Sequence, residues 1–275
     1  MARGGSESAR LLRAQQNADG GFGPRGGTPS EPEPTSLAAL ALDDADARSW
    51  LTAHQRPDGG FGIATGSLVN DAATGLAALA MDPGSARERA LDRIERSRAE
   101  QPESHPAIPI DPSAVGWPWT RGSASWVEPT ARALLALRLL RPASSGIQDA
   151  IALLRDREAV GGGWNYGNRI VLDEELPPFA QPTAIALVAL VGFDPELERR
   201  GLSTLRSLWR EESAGGLNVA SAIVALRVHG DDDEADRALA VLQRLVADTG
   251  LLDDGVALAW ASLATSAAWK VFQSG

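Results

Sequence analysis

The sequence predicts an all-α fold, an α/α toroid in which six helical hairpins close into an α6/α6 barrel. Three observations predict it. A glycine-rich turn with an aromatic residue recurs along the chain, an amphipathic segment precedes the copies, and a nearly all-apolar, alanine-rich segment follows them. The amphipathic segments suit outer helices with one face in water, and the apolar ones suit inner helices packed on both sides. Closure follows from the second property, because an open stack would leave one side of the apolar helices wet.

The first two units, about 6–42 and 46–81, are copies 39 residues apart. Gln15-Gln16-Asn17-Ala18-Asp19-Gly20-Gly21-Phe22-Gly23 recurs as His54-Gln55-Arg56-Pro57-Asp58-Gly59-Gly60-Phe61-Gly62, and Thr35 to Leu42 recurs as Thr74 to Met81. Glycine at the turn is expected to cap the outer helix in the left-handed conformation, and Gln15 and Gln55 to bond the turn backbone. In units three and four, about 84–140 and 146–191, the turns become Gly116-Trp117-Pro118-Trp119 and Gly162-Gly163-Trp164-Asn165-Tyr166-Gly167. Glu128-Pro129-Thr130-Ala131 and Gln181-Pro182-Thr183-Ala184 then open the inner helices, and Pro34, Pro129 and Pro182 fit a first helical turn, where no N–H is needed. Units five and six, about 195–229 and 232–266, are degenerate, with Gly215-Gly216-Leu217 and Gly250-Leu251-Leu252 in place of the turn. The insertions 101–113 and 168–180 both lead into inner helices. Insertions at equivalent positions of a repeat fall on one end of the assembly, which is the expected functional face.

Composition narrows the function. A chain of 275 residues has ample material for one core, and 44% apolar against 23% charged residues is a globular balance. With 26 Lys+Arg against 36 Asp+Glu the net charge is −10, the wrong sign for neutralising nucleic-acid phosphates. No residue is Cys, which removes disulfides, thiolate nucleophiles and Cys-ligated metals. The stretch from Ala184 to Val191 is too short to span a membrane, and Met1 to Gln16 lacks the apolar segment of a secretory signal, so a cytoplasmic protein is expected.

The combination of a Gln, an Asp/Asn-Gly turn with an aromatic residue, and a Thr-Ala start to an apolar helix resembles the QW-type repeats of the squalene–hopene cyclase and protein prenyltransferase superfamily. The resemblance spans about residues 10 to 265. It implies a stand-alone toroid around a central apolar cavity, with an isoprenoid or other apolar small molecule as partner. It does not carry the chemistry over intact. The Asp-x-Asp-Asp-Thr-Ala acid motif of the cyclases heads no inner helix here, and the prenyltransferase zinc site needs a Cys that is absent. His54, His105 and His229 fall in different units and suggest no substitute, so neither metal nor cofactor is expected.

Two positions before the Thr stand Glu33, Ala72, Glu128 and Gln181. Glu128, flanked by Trp117, Trp119 and Trp126, is the candidate proton donor of a cyclase-like reaction; the other reading of Glu-Pro-Thr is a helix-start device. A helix N-terminus stabilises a carboxylate and lowers its pKa, the opposite of what an acid for an alkene needs.

Four of the eight tryptophans fall between Trp117 and Trp164. Trp117, Trp119, Trp126, Trp164, Tyr166 and Phe179 are read either as loop anchors or as aromatic walls of a ligand pocket, with Asn165, Asn168, Arg169 and Gln181 orienting a polar end. Asp232-Asp233-Glu234-Ala235-Asp236 matches a magnesium-binding Asp-Asp-x-x-Asp pattern but reads as a solvated helix start. Two functions of different class therefore remain: an isoprenoid-binding protein that extends to a terpenoid cyclase if Glu128 donates a proton, and a non-catalytic toroid that binds a peptide or protein. A carbohydrate-active barrel would need two facing carboxylates that the sequence does not reveal.

Overall fold

A computed structural model describes residues 6–67, 71–103 and 106–273. The fold is all-α, with one two-stranded hairpin, β1 (Ile170–Val171) and β2 (Glu174–Glu175). The outer helices are α1 (Glu7–Arg13), α3 (Ala45–His54), α5 (Ser85–Arg96), α7 (Gly146–Asp156), α9 (Pro195–Glu211) and α11 (Asp232–Thr249). They alternate with the inner helices α2 (Pro32–Leu42), α4 (Thr74–Ala80), α6 (Val127–Leu140), α8 (Ala180–Leu190), α10 (Gly216–Val228) and α12 (Gly255–Thr265). No helix among the described residues is long and apolar enough to cross a membrane.

Burial follows the two sequence patterns. In α8 every residue except Gln181 is buried, whereas α9 and α11 bury one stripe and expose Arg and Glu on the other. The inner helices contact one another in chain order, and α12 returns to pack on α2 and α1, so the contacts form a closed cycle. Polar bonds reinforce the junction. Gly255 N–H donates to the Pro24 carbonyl at 2.8 Å, and the Thr265 hydroxyl donates to Ser6 Oγ at 2.8 Å.

Of the outer helices on either side of it, each of α2, α4, α6, α8 and α10 packs chiefly against the one that follows, so the packed hairpin is inner-then-outer and not the outer-then-inner unit in which the repeat is written. The reason is loop length. Two to five residues separate α2 from α3, α4 from α5, α6 from α7, α8 from α9 and α10 from α11, which forces those pairs together as antiparallel neighbours. The long connections run the other way and gather at the N-terminal ends of the inner helices. There Leu172 N–H donates to the Ala107 carbonyl at 2.7 Å, joining the two insertions.

One threonine per copy ties the turn to the inner helix. Thr35 Oγ1 accepts from Phe22 N–H at 2.9 Å and donates back to the Phe22 carbonyl at 3.1 Å. Thr74 does the same for Phe61 and Thr183 for Trp164, while Thr130 accepts from Trp117 N–H at 3.0 Å. The four aromatic side chains so held are all buried.

Two local expectations change. Helices α1 and α3 end several residues before Gly20 and Gly59, so these glycines do not cap them. They shape the turn itself, at φ +85° and +90°, and at Gly59 a Cβ would strike the Arg89 carbonyl of α5. The glutamine equivalent to Gln55 is Gln16, whose Nε2 donates to the Gly20 carbonyl as that of Gln55 does to Gly59. Gln15 instead donates to the Asp253 carbonyl at 3.1 Å, across the closing junction.

At the opposite end, the 3-10 turn Ala268–Phe272 lies against α2, α10 and α12. Phe272 is fully buried with its ring 6.0 Å from that of Trp260, and Arg138 of α6 donates to its carbonyl at 2.7 Å. Both insertions, and with them the candidate residues, lie at the other end.

Candidate functional site

The residue four before the threonine is the N-cap of its inner helix: Glu31 for α2, Trp126 for α6 and Phe179 for α8. All three share one extended conformation, and their N–H groups donate to the carbonyls of Phe22, Trp117 and Trp164, respectively, at 2.9–3.0 Å. These three side chains therefore sit in the same register at one end of the fold. Glu33 and Glu128 occupy the second position of α2 and α6.

Glu128 is not a free carboxylic acid. It is 5% exposed, and its Oε1 accepts from Arg132 Nη2, one turn further along α6, at 2.5 Å. The same nitrogen reaches over α4 to Glu33 of α2, and Arg132 Nη1 lies 3.4 Å from the Ala72 carbonyl. Gly75 makes room, because a Cβ there would collide with the backbone of Arg132. Glu33, Arg132 and Glu128 thus form one triad of net charge −1 when all are ionised, with Arg132 and Glu128 buried and Glu33 half-buried.

Burial pushes the Glu128 carboxyl up, and the like charge of Glu33 adds to this; Arg132 opposes both without cancelling them. This overturns the expectation from helix position, since desolvation outweighs the helix terminus. For Arg132 burial acts downward, but the two carboxylates more than offset it and hold the guanidinium protonated. Only 20 Å³ of open space, about one water, remains in the cavity where Arg132 and Ala133 of α6 face Thr74 and Gly75 of α4.

The aromatic candidates divide into two groups. Trp117 and Trp164 are 4% and 0% exposed, with their indole N–H groups on the carbonyls of Ile94 and Leu154 at 2.9 and 2.7 Å. They are core residues at the positions of Phe22 and Phe61, and Trp117 also borders the small cavity beside Arg132. Trp126, Tyr166 and Phe179 are 38, 45 and 38% exposed. Tyr166 and Phe179 pack with centroids 5.6 Å apart and planes tilted by 34°, and Trp126 lies over Gly167, where a Cβ would be only 3.2 Å from its ring. Trp119 is half-buried, with the Arg132 guanidinium 5.5 Å from its ring centroid.

Of the polar candidates, Asn165 is spent on the loop: its side chain donates to the Asn168 carbonyl and accepts from Gly167 N–H. Asn168 is half-buried and contributes that carbonyl. Gln181 is half-buried in the first turn of α8. Arg169 is half-buried beside Arg157, whose guanidinium falls to about 10 through burial first and the charge of Arg169 second.

Glu31 and Glu212, at the same end, are also raised, chiefly by burial. Glu212 accepts from Ala180 N–H at 3.1 Å and Asn218 Nδ2 at 2.7 Å. Burial and then the charges of Glu128 and Glu212 raise Tyr166, which keeps its phenol protonated. Around the triad the four carboxylates of Glu31, Glu33, Glu128 and Glu212 outnumber the one guanidinium of Arg132 and make this part of the end acidic, with ring faces at its surface. It suits a neutral or cationic apolar group and repels an anion.

The Asp-rich run at the start of α11 is occupied by arginines. Arg227 binds Asp232 and Asp236, and the buried Glu234 accepts from Trp209 Nε1 at 2.9 Å and from Arg237 at 2.7 Å. Among the described residues no group of His, Asp and Glu is placed to hold a metal ion; His105 lies outside them.

The sequence reading missed Arg132 and Glu31. The signal for both was the register itself: Glu31 is four before its threonine, as Trp126 and Phe179 are, and Arg132 is four after Glu128 on the helix face that carries it. No protein-family model matches the chain, and no curated protein matches it significantly.

Proposed function

We propose that the chain is a binding protein for an apolar, isoprenoid-class small molecule, taken at the end of the inner helices that carries Trp126, Tyr166, Phe179 and the triad. The observation that carries this reading is the exposure of those three rings at equivalent or adjoining positions above buried charge. Aromatic side chains so exposed give up contact with water when an apolar ligand covers them. The resemblance to the cyclase and prenyltransferase repeats supports an isoprenoid. The acidity of this end favours a neutral or cationic one over a prenyl diphosphate.

Glu128 serves as an anchor of this site in our reading. Its raised pKa has the direction a proton donor needs, but its oxygen is engaged by Arg132 and shielded from solvent. A cyclase role would require the triad to open.

A second reading, a peptide or protein partner, is favoured by one observation: Leu172 and Leu176, 72 and 38% exposed, extend the apolar surface along the insertion that ends at Phe179. One thermal-shift experiment separates the two. C15 and C20 prenyl alcohols should raise the unfolding temperature of the wild type, and Phe179→Ala with Trp126→Ala should abolish the rise. Equal stabilisation of wild type and variant rules out this site. No stabilisation by any prenyl compound leaves the partner reading.

A further inference from the structure

A second charged site lies outside the cycle of inner helices, between the end of α5 and the loop before α6. A pocket of about 190 Å³ is lined by Arg93, Arg96, Arg98 and Arg121, with Asp71, Ser97, Pro118 and Gly122 completing it. Four guanidinium groups around one cavity are unexpected in a chain of net charge −10.

The single lining carboxylate is already committed. Asp71 accepts from Arg93 Nη2 at 2.6 Å, Arg121 Nε at 3.0 Å, Ser97 Oγ at 3.1 Å and also from Arg56. Burial works against its charge, but the three arginines hold its carboxyl well below the usual range. It has no capacity left for a cation. The neighbouring Asp58 accepts from Arg121 Nη2 at 2.6 Å.

The arginines are not used up in return. Arg93 and Arg121 each engage Nε and Nη2 and keep Nη1. Arg98 meets Asp149 at 3.1 Å through Nη2, has Glu95 at 4.0 Å and stacks 3.8 Å over Trp117; its Nη1 is buried beside Gly146, so Arg98 gives the pocket charge and no open donor. Arg96 is exposed and makes no ion pair among the described residues. Unengaged donors therefore remain at this pocket on Arg93, Arg96 and Arg121, and guanidinium groups held in place by carboxylates are preorganised to give charge-assisted hydrogen bonds to a tetrahedral oxyanion.

We propose that this pocket binds a phosphate-type oxyanion, either the free ion or the terminal phosphate of a small ester. The volume accommodates a phosphate or diphosphate with room for a short ester stem. The pocket adjoins the small Arg132 cavity, with which it shares Asp71, Ser97 and Pro118, but none of the exposed rings lines it.

The test is calorimetric titration of the full chain, at low ionic strength in an oxyanion-free buffer, with inorganic phosphate, inorganic diphosphate, glycerol phosphate and acetate. Saturable binding of one phosphate or diphosphate per chain is expected, with acetate weaker. Arg96→Ala should weaken it about tenfold, the loss of one charge-assisted hydrogen bond. Arg96→Lys should recover part of the loss, and Arg244→Ala, at an exposed arginine on α11, should change nothing. Arg96 is exposed and unpaired, so its variants retain the fold, which circular dichroism checks. Binding of glycerol phosphate identifies an ester as a fitting ligand, and its failure beside phosphate binding restricts the site to the free ion. Absence of saturable binding by phosphate and diphosphate, or equal weakening by Arg96→Ala and Arg244→Ala, overturns the proposal.

Discussion

Arg132 of α6 and Glu33 of α2 form an ion pair over the intervening helix α4, and Glu128 shares the same guanidinium. The pair links three consecutive units at the end where the long connections gather. Removing the cation alone leaves the buried Glu128 and the half-buried Glu33 without their shared partner. Arg132→Leu is expected to cost about 3–5 kcal/mol in urea denaturation, as for one partner lost from a buried pair. The triple change Glu33→Leu, Glu128→Leu, Arg132→Met should recover most of that loss, because no charge is then left unpaired. A small effect of Arg132→Leu would mean that water reaches the carboxylates.

Thr183 and Trp164 exchange hydrogen bonds in both directions at a buried site. Thr183→Val keeps the shape and leaves a buried N–H unsatisfied, at a cost of about 1–3 kcal/mol measured by denaturant midpoint. Trp164→Leu should cost more through lost packing, and neither change should touch ligand binding directly.

Much of the fold was legible because the repeat carries it. The alternation of amphipathic and apolar segments gave the helices, as in the amphipathic Ser85–Arg96 and Pro195–Glu211 and the apolar Ala180–Leu190. The partnering of helices was not legible, because a repeat has no intrinsic start and only loop lengths decide which neighbours pair. At the site, an aromatic residue in the sequence does not declare its face. Trp164 and Phe179 stand in one loop, yet the backbone bonds of Thr183 turn one into the core, while the N-cap position leaves the other at the surface. Long-range charge pairing such as Glu33 with Arg132, 99 residues apart, leaves no periodic trace.

Phe272 fills the end of the fold opposite the aromatic rings. Phe272→Ala should leave a cavity there and destabilise by about 3–5 kcal/mol. Hydrogen exchange should quicken first in α10, α12 and α2, the helices that it touches. Unchanged exchange in those helices would show that the turn packs without supporting them.

His229 sets an acid dependence. Its Nε2 lies 3.0 Å from the Leu187 carbonyl and so carries the proton, while Nδ1 is 3.4 Å from Glu198 Oε2. Burial lowers its pKa below 6.5, with Arg138 adding to this and Leu187 and Glu198 opposing. The unfolded chain then binds the proton more readily than the folded one, so stability is full above about pH 6.5 and falls as pH drops through that value. Thermal unfolding between pH 7.5 and 5.5 should show this fall, and His229→Gln should flatten it. A wild-type curve that is flat over this range would contradict the assignment.

The central claim is that the exposed rings at the N-terminal ends of the inner helices form a site for an apolar ligand. Native mass spectrometry of the full chain with an equimolar mixture of C15 and C20 prenyl alcohols tests it most directly. The wild type should retain one prenyl molecule, and the double variant Trp126→Ala, Phe179→Ala should retain none while keeping its charge-state distribution. Equal retention by both proteins, or none by the folded wild type, would contradict the account.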